Sequence, residues 1–450
     1  MKLHIIPAIA VLALLMPGCG LYKKYEHTEP ESARAALFTD SPDSVLAPLA
    51  TRSWRTLFTD TILTRWIETG LERNTDLRSA YLNVVAADAR LQGAKLGFLP
   101  SASLQVQGSA SNSQRSFSIG PQAQWEIDIF GRQRNLMRGA GADRIAAEAY
   151  SQAVRTSLVA ALASSYYNLM MLDEQLSISE RTLANWEENI RVMEALKRAG
   201  RTNEAAVLQA RANRMRVQNS VNTLRQQIYE QENAVRSLLL APDMEVTRDS
   251  LSSFDFPEFP QEGLPLETLS NRPDVRQAEW QLASAFYSVN VARAAFYPSL
   301  SITGSAIWQT RSGSVTDPGS WITNALGNLL APLFSRGSNM ANLKVSKATQ
   351  EQARIEYEQR LVDAAMEVNN ALSQWRTARQ RLEIDREQIT ALQGAVRSTK
   401  LLMRHTNTNY LEVLTAQQRL LEAELTAAAD RFDQVKAVVA LYHALGGGAK

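Results

Sequence analysis

The sequence is short of almost every residue on which chemistry is usually built. Its 450 residues include one cysteine, at position 19, and four histidines, His4, His27, His405 and His443. A single cysteine excludes a disulfide framework and a zinc–thiolate cluster. Four scattered histidines argue against a histidine-rich metal site. Neither sign of charge prevails: 48 Lys and Arg against 46 Asp and Glu leave +2, which argues against a strong electrostatic grip on nucleic acid. There is no Gly-x-Ser-x-Gly, no phosphate loop, no dinucleotide fingerprint and no carboxylate–histidine cluster, so an enzyme is disfavoured. Long apolar runs are missing too. Only Ile5–Met16 approaches membrane length, which excludes a multi-helix inner-membrane protein. Proline is absent from two whole stretches, 135–240 and 337–445.

What is present begins with an address. Met1-Lys2 is followed by the apolar stretch Ile5–Met16 and by Pro17-Gly18-Cys19-Gly20, the three-part layout of an export signal. A small residue directly before a cysteine resembles the bacterial lipoprotein signal. On that resemblance residues 1–18 are removed and Cys19 carries an S-diacylglycerol and an N-palmitoyl chain as a covalent membrane anchor. Gly20, rather than an acidic residue, implies delivery to the outer membrane of a Gram-negative cell.

The rest reads as a tandem repeat. Asp76-Leu77-Arg78-Ser79-Ala80 matches Asp274-Val275-Arg276-Gln277-Ala278, and Phe98-Leu99-Pro100-Ser101 matches Phe296-Tyr297-Pro298-Ser299. Phe130-Gly131-Arg132 is paired with Phe334-Ser335-Arg336, Arg198 and Thr202-Asn203 with Arg404 and Thr408-Asn409, and Val207–Ala210 with Val413–Ala416. The expected layout is a loose N-terminal segment over 19–59, a first repeat over 60–240, an irregular proline-bearing linker over 241–265 and a second repeat over 266–446. In the first repeat strands are expected at about 100–130 and a helical hairpin at about 135–240. In the second they fall at about 298–334 and 337–446.

Within each repeat the period of apolar residues changes. Residues 60–97 have helical spacing, with a polar break at Asn74-Thr75-Asp76 where Asp76 is expected to cap the next helix. Ala102, Leu104, Val106, Gly108 and Ala110 then alternate with Ser101, Ser103, Gln105, Gln107 and Ser109. Phe117, Ile119, Ala123, Trp125, Ile127 and Ile129 alternate with Ser118, Gln122, Gln124, Glu126 and Asp128. Strands of roughly ten residues with one apolar and one polar face have the length of tilted membrane-spanning strands. The pattern recurs at Ser299–Gln309 and, less cleanly, at Trp321–Phe334. The proline-free stretches read as long helices turning at Arg198–Glu204 and at His405–Asn409. Leu414, Leu421, Leu425, Ala428, Phe432, Val435, Val439 and Tyr442 keep a coiled-coil spacing. Four strands in lipid cannot stand alone, because backbone groups at membrane depth need partners. Four is also below the roughly eight strands of the smallest barrels. Several chains must therefore contribute to one barrel.

The chain resembles the outer membrane efflux proteins, the TolC/OprM-like family, in the lipoprotein branch that serves RND-type pumps. The residues that carry the resemblance are Leu269-Ser270-Asn271-Arg272-Pro273-Asp274-Val275-Arg276-Gln277-Ala278-Glu279, Phe296-Tyr297-Pro298-Ser299-Leu300, Trp125–Arg132 and Asn409-Tyr410-Leu411-Glu412-Val413-Leu414-Thr415-Ala416-Gln417. The resemblance implies a mainly α fold with a transmembrane β-barrel. In it three chains build a twelve-stranded barrel and a twelve-helix periplasmic tunnel. It further implies an inner-membrane RND transporter and a periplasmic adaptor (membrane fusion) protein as partners. The function expected is an outer membrane exit duct for drugs or other toxic small molecules, the alternatives being type I protein secretion and metal-ion efflux.

The family's helix turns meet the adaptor. That places Arg198, Gly200, Arg201, Thr202, Asn203, His405, Thr408 and Asn409 at the tip. The family also carries acidic rings near these turns. Here Glu412 stands at the aspartate position before Val-Leu and Ala206 replaces it in the first copy, so a ring would come from Glu204 or Glu412. No catalytic, cofactor or metal-binding residue is expected.

Overall fold

The computed structural model describes residues 24–27, 53–110, 115–250, 269–310, 319–332, 336–405 and 410–447. In chain order these form α1 (Trp54–Leu57), α2 (Thr61–Arg73), α3 (Thr75–Leu96), β1 (Ser101–Ala110), β2 (Arg115–Ile127), α4 (Arg132–Arg198) and α5 (Glu204–Leu238). The second half continues with α6 (Pro273–Ala294), β3 (Ser299–Thr310), β4 (Ser320–Leu330), α7 (Ser338–His405) and α8 (Tyr410–Ala444). Two compact units draw on both halves of the sequence: residues 1–30, 81–149 and 276–360 form one, and 31–80, 150–275 and 361–450 the other.

The first unit holds the sheet, ordered β1-β2-β3-β4 and antiparallel throughout. Its register keeps like residues opposite one another. Ala102, Leu104 and Val106 face Ala123, Pro121 and Ile119, while Ser103, Gln107 and Ser109 face Gln122, Ser118 and Ser116. On the same apolar face Ile119 meets Trp308, Trp125 meets Ile302, and Trp308 meets Trp321. A period of two makes this segregation all-or-none, since a slip of one residue would exchange the faces. At the foot of the sheet the landmarks of the two repeats interlock. Phe130 stacks on Tyr297 with centroids 5.1 Å apart, and the Trp125 indole donates to the Phe98 carbonyl at 2.9 Å.

Chain reversal from sheet to long helix is set by a left-handed residue. Gly131 (φ 72°) precedes α4 and Gly337 (φ 78°) precedes α7, and the amides of Asn135 and Ala341 donate back to their carbonyls. Gly131 and Gly337 stand at the same offset that relates Arg198 to Arg404; Phe334 and Ser335, which the sequence pairs with Phe130 and Gly131, lie outside the described residues. The Asp128 carboxylate caps α4 by accepting from the amides of Gln133 and Arg134.

The second unit is a helical core. Trp54, Phe58, Leu63, Trp66 and Ile67 pack with Leu162, Tyr166, Tyr167 and Met170 of α4, Val235 and Leu239 at the end of α5, and Val435, Val439 and Tyr442 of α8. Such burial is worth roughly 25 cal/mol per Å2 of apolar surface. The α2 helix starts on Asp60, whose carboxylate accepts from the amides of Ile62 and Leu63. The cap of α3 differs from expectation. Asn74, not Asp76, accepts from the amides of Asp76 and Leu77, and Asp76 sits in the first turn, where it favours the positive helix end. Asn74 also donates to the Leu238 carbonyl, a contact between segments far apart in sequence.

Candidate functional site

Two places can do work here: the faces of the sheet and the turns of the helical hairpins. The outer strands β1 and β4 are exposed along their whole length, and each leaves one backbone edge without a neighbour in the four-stranded order. Exposure falls on large apolar side chains: Leu104 is 67% exposed, Trp321 65% and Leu329 68%. An open edge beside an uncovered apolar face is unstable in water and incomplete in lipid. Trp125 lies near one end of the apolar face, with Phe117, Trp308 and Trp321 toward the other, as aromatic residues gather at the two borders of a bilayer. The opposite face is built from Ser, Gln and Thr, with Glu126 bridged to Arg132 at 3.5 Å. β4 departs from strict alternation: Ile322 and Leu326 share the polar side with Asn324 and Asn328.

The first hairpin turn is fully described. Helix α4 ends at Arg198, and the Arg201 amide donates to Leu196 while the Gly200 amide donates to Lys197. This is a Schellman closure, which needs the left-handed backbone that Gly200 supplies at φ 70°. Arg201 and Thr202 span the turn, and Asn203 caps α5 by accepting from the Ala206 amide. Glu204, the first residue of α5, is ion-paired with Lys197. That hydrogen bond holds the Glu204 carboxyl below the usual carboxylate range. Glu204 is therefore compensated within its own chain. In the second hairpin His405 is the last residue of α7 and Glu412 lies exposed in the first turn of α8. Cys19, Thr408 and Asn409 lie outside the described residues. Behind the first turn Trp186, Ala210, Val217 and Leu414 form a small core, and Asn189 donates to Gln417 at 2.7 Å, so α8 packs on the first hairpin.

Several residues that organise the helical unit gave no signal of that role in the sequence. Arg272, one of the residues that carry the family resemblance, is 2% exposed. Its guanidinium donates to Asp274, to Glu367 of α7 and to the Ala444 carbonyl at the end of α8. Burial alone would raise the Asp274 carboxyl, but its bond to Arg272 more than offsets this and holds it below the usual range. Arg248 likewise ties Asp173 to Glu232. The Tyr166 hydroxyl donates to Asp60 at 2.5 Å, and burial foremost pushes that phenol up. The sequence distance from Arg272 to Glu367 and Ala444, from Arg248 to Asp173 and from Tyr166 to Asp60 hides these links. Among the described residues no group of three His, Cys, Asp or Glu is placed to hold a metal ion.

Comparison with known proteins bears directly on this arrangement. The outer membrane efflux protein model matches two segments, 66–239 and 264–447. The chain belongs to the outer membrane efflux protein family. It is 30% identical to the cation efflux system protein CusC of Escherichia coli O6:H1, over 97% of each chain. It is 29% identical to the probable efflux pump outer membrane protein TtgC of Pseudomonas putida KT2440, over 98% of this chain and 95% of that protein. A crystal structure of CusC superposes with a TM-score of 0.84 at 28% identity, covering 94% of this chain and 99% of that one. The open outer membrane channel MtrE of Neisseria gonorrhoeae superposes at 0.82 and 28%, covering 95% and 98%. As an outer membrane efflux protein the chain is a channel of the outer membrane, and its uncovered apolar strand face is the part that meets lipid.

Proposed function

We propose that three copies of the chain close their sheets into one twelve-stranded barrel. The barrel would serve as the passive exit duct of a tripartite efflux system, fed by an inner-membrane RND pump through a periplasmic adaptor. The observation that carries this reading is the open sheet. With order β1-β2-β3-β4, β4 of one copy and β1 of the next run antiparallel, so head-to-tail copies satisfy both edges and bring all apolar faces outward. The Ser, Gln and Thr face then lines water. The cargo proposed is toxic small molecules. CusC is named for cation efflux and TtgC as a pump component, at nearly the same identity, which fits a duct that leaves selection to the pump.

Cys19 is proposed to carry the lipid anchor. SilC of Salmonella typhimurium, 27% identical over the whole chain, is named a probable outer membrane lipoprotein. Cys19→Ser should abolish lipid labelling, and a persistent label would end the anchor claim. The hairpin turns are proposed to contact the adaptor: a cysteine replacing Arg201 should crosslink to it. The duct is tested by deleting the gene and challenging cells with organic toxicants and with metal cations. Increased sensitivity, restored by the full chain, is expected. Unchanged sensitivity and unchanged retention of both classes would contradict an efflux role.

A further inference from the structure

The polar side of the sheet carries an apolar row that membrane burial does not explain. On that side β1, β2 and β3 present Ser, Thr, Gln, Glu and Gly, apart from Ile307. On β4 the same side reads Ile322, Asn324, Leu326, Asn328 and Leu330. Ile322 lies opposite Ile307, Leu326 opposite Thr303 and Leu330 opposite Ser299. A strand rises about 3.3 Å per residue, so the three aliphatic residues stand roughly 13 Å apart. The row from Ile322 to Leu330 is then about 26 Å long, close to the roughly 25 Å height of a barrel's membrane band.

Nothing among the described residues covers this row. Ile322 is 41% exposed, Leu326 60% and Leu330 71%. Thr303 and Ser299 are too short to shield a leucine from the β3 side. In a closed ring the other neighbour is β1 of the next copy, whose same side carries only Ser and Gln. Whichever of those residues comes opposite, the neighbours on both flanks are polar along most of the row. The aliphatic side chains therefore face the water of the pore and gain no burial from barrel closure. Asn324 and Asn328 stand between them, each offering an amide donor and acceptor. β4 holds no Asp, Glu, His or Cys, so the row offers no ligand to a metal cation. What it matches is an uncharged amphipathic organic molecule, with an apolar body for the aliphatic residues and a polar group for the asparagines.

We propose that Ile322, Leu326 and Leu330, with Asn324 and Asn328 between them, form an apolar track along the duct wall that contacts amphipathic organic molecules in transit. This rests on the exit-duct reading, which puts the polar face of the sheet inside. The track is one-sided and open, so each contact is weak and is exchanged for the next along the strand. It eases the passage of such molecules without choosing among them, and metal cations pass without touching it.

Planar-bilayer recording on the purified full chain, with N-phenyl-1-naphthylamine as the uncharged amphipathic probe, tests this. Without probe, wild type and the triple variant Ile322→Thr, Leu326→Thr, Leu330→Thr should conduct ions equally. With probe, wild type should show brief, reversible drops in current. In the triple variant these drops should shorten about tenfold, as one-sided apolar contacts are lost. Asn324→Leu, which fills one gap in the row, should lengthen them, and it carries the test where the triple variant fails to assemble. A wild type that conducts no ions would overturn the duct itself. A conducting wild type without probe-dependent drops, or drops of equal duration in wild type and variants, would overturn the track alone.

Discussion

Single residues reveal where the two repeats have diverged. At the end of α5 the amides of Leu240 and Ala241 donate to Ser237 and Arg236, and at the end of α8 those of Gly446 and Gly447 donate to His443 and Tyr442. Both ends close the same way, yet Leu240 holds a φ of 50° where the second copy has Gly446 at 85°. A side chain in this region costs about 1 kcal/mol, and Leu240 is largely exposed, so little packing repays it. Leu240→Gly should therefore stabilise the helical unit by about 1 kcal/mol in denaturant unfolding. Arg272 is the opposite case. Arg272→Met leaves the Ala444 carbonyl and Asp274 without their donor, and should cost on the order of 3 kcal/mol. Because the Asp274 carboxyl is depressed in the folded chain, this stabilisation is present at neutral pH and is lost as pH falls through the depressed value. The gap between wild type and variant should thus narrow in acid.

Elements show how the amino-acid pattern becomes a membrane surface. Leu104 faces Pro121 midway along the apolar face, between the Trp125 end and the Trp308–Trp321 end, and Gln105 points to the other side of β1. A charge at this lipid-facing position should cost about 2–4 kcal/mol. Leu104→Arg should then reduce assembled protein in outer membrane fractions, whereas Gln105→Arg should assemble normally and alter ion selectivity. The strands and long helices were readable because each has a single strong period over many residues. Other features were not. The Asn74 cap could not be told from Asp76, since both side chains suit a helix start. β4 alternates poorly because Ile322 and Leu326 stand among asparagines. The Arg248 and Tyr166 links are invisible locally, as each joins a helix to a distant loop. At the first hairpin turn, the chemistry of Gly200 and Asn203 is legible from residue type, but the pairing of Lys197 with Glu204 needs the geometry of the closed turn.

For the whole molecule, the open edges of the fold have one explanation: a chain that finishes its barrel with its neighbours leaves β1 and β4 uncovered. Three copies enclosing a pore resolve this incompleteness. Planar-bilayer recording on the purified full chain, with its mass determined in the same detergent, tests it. A particle of three chains that conducts ions in steady, resolvable steps is expected. A monodisperse monomer that remains soluble without detergent and leaves the bilayer silent would contradict it.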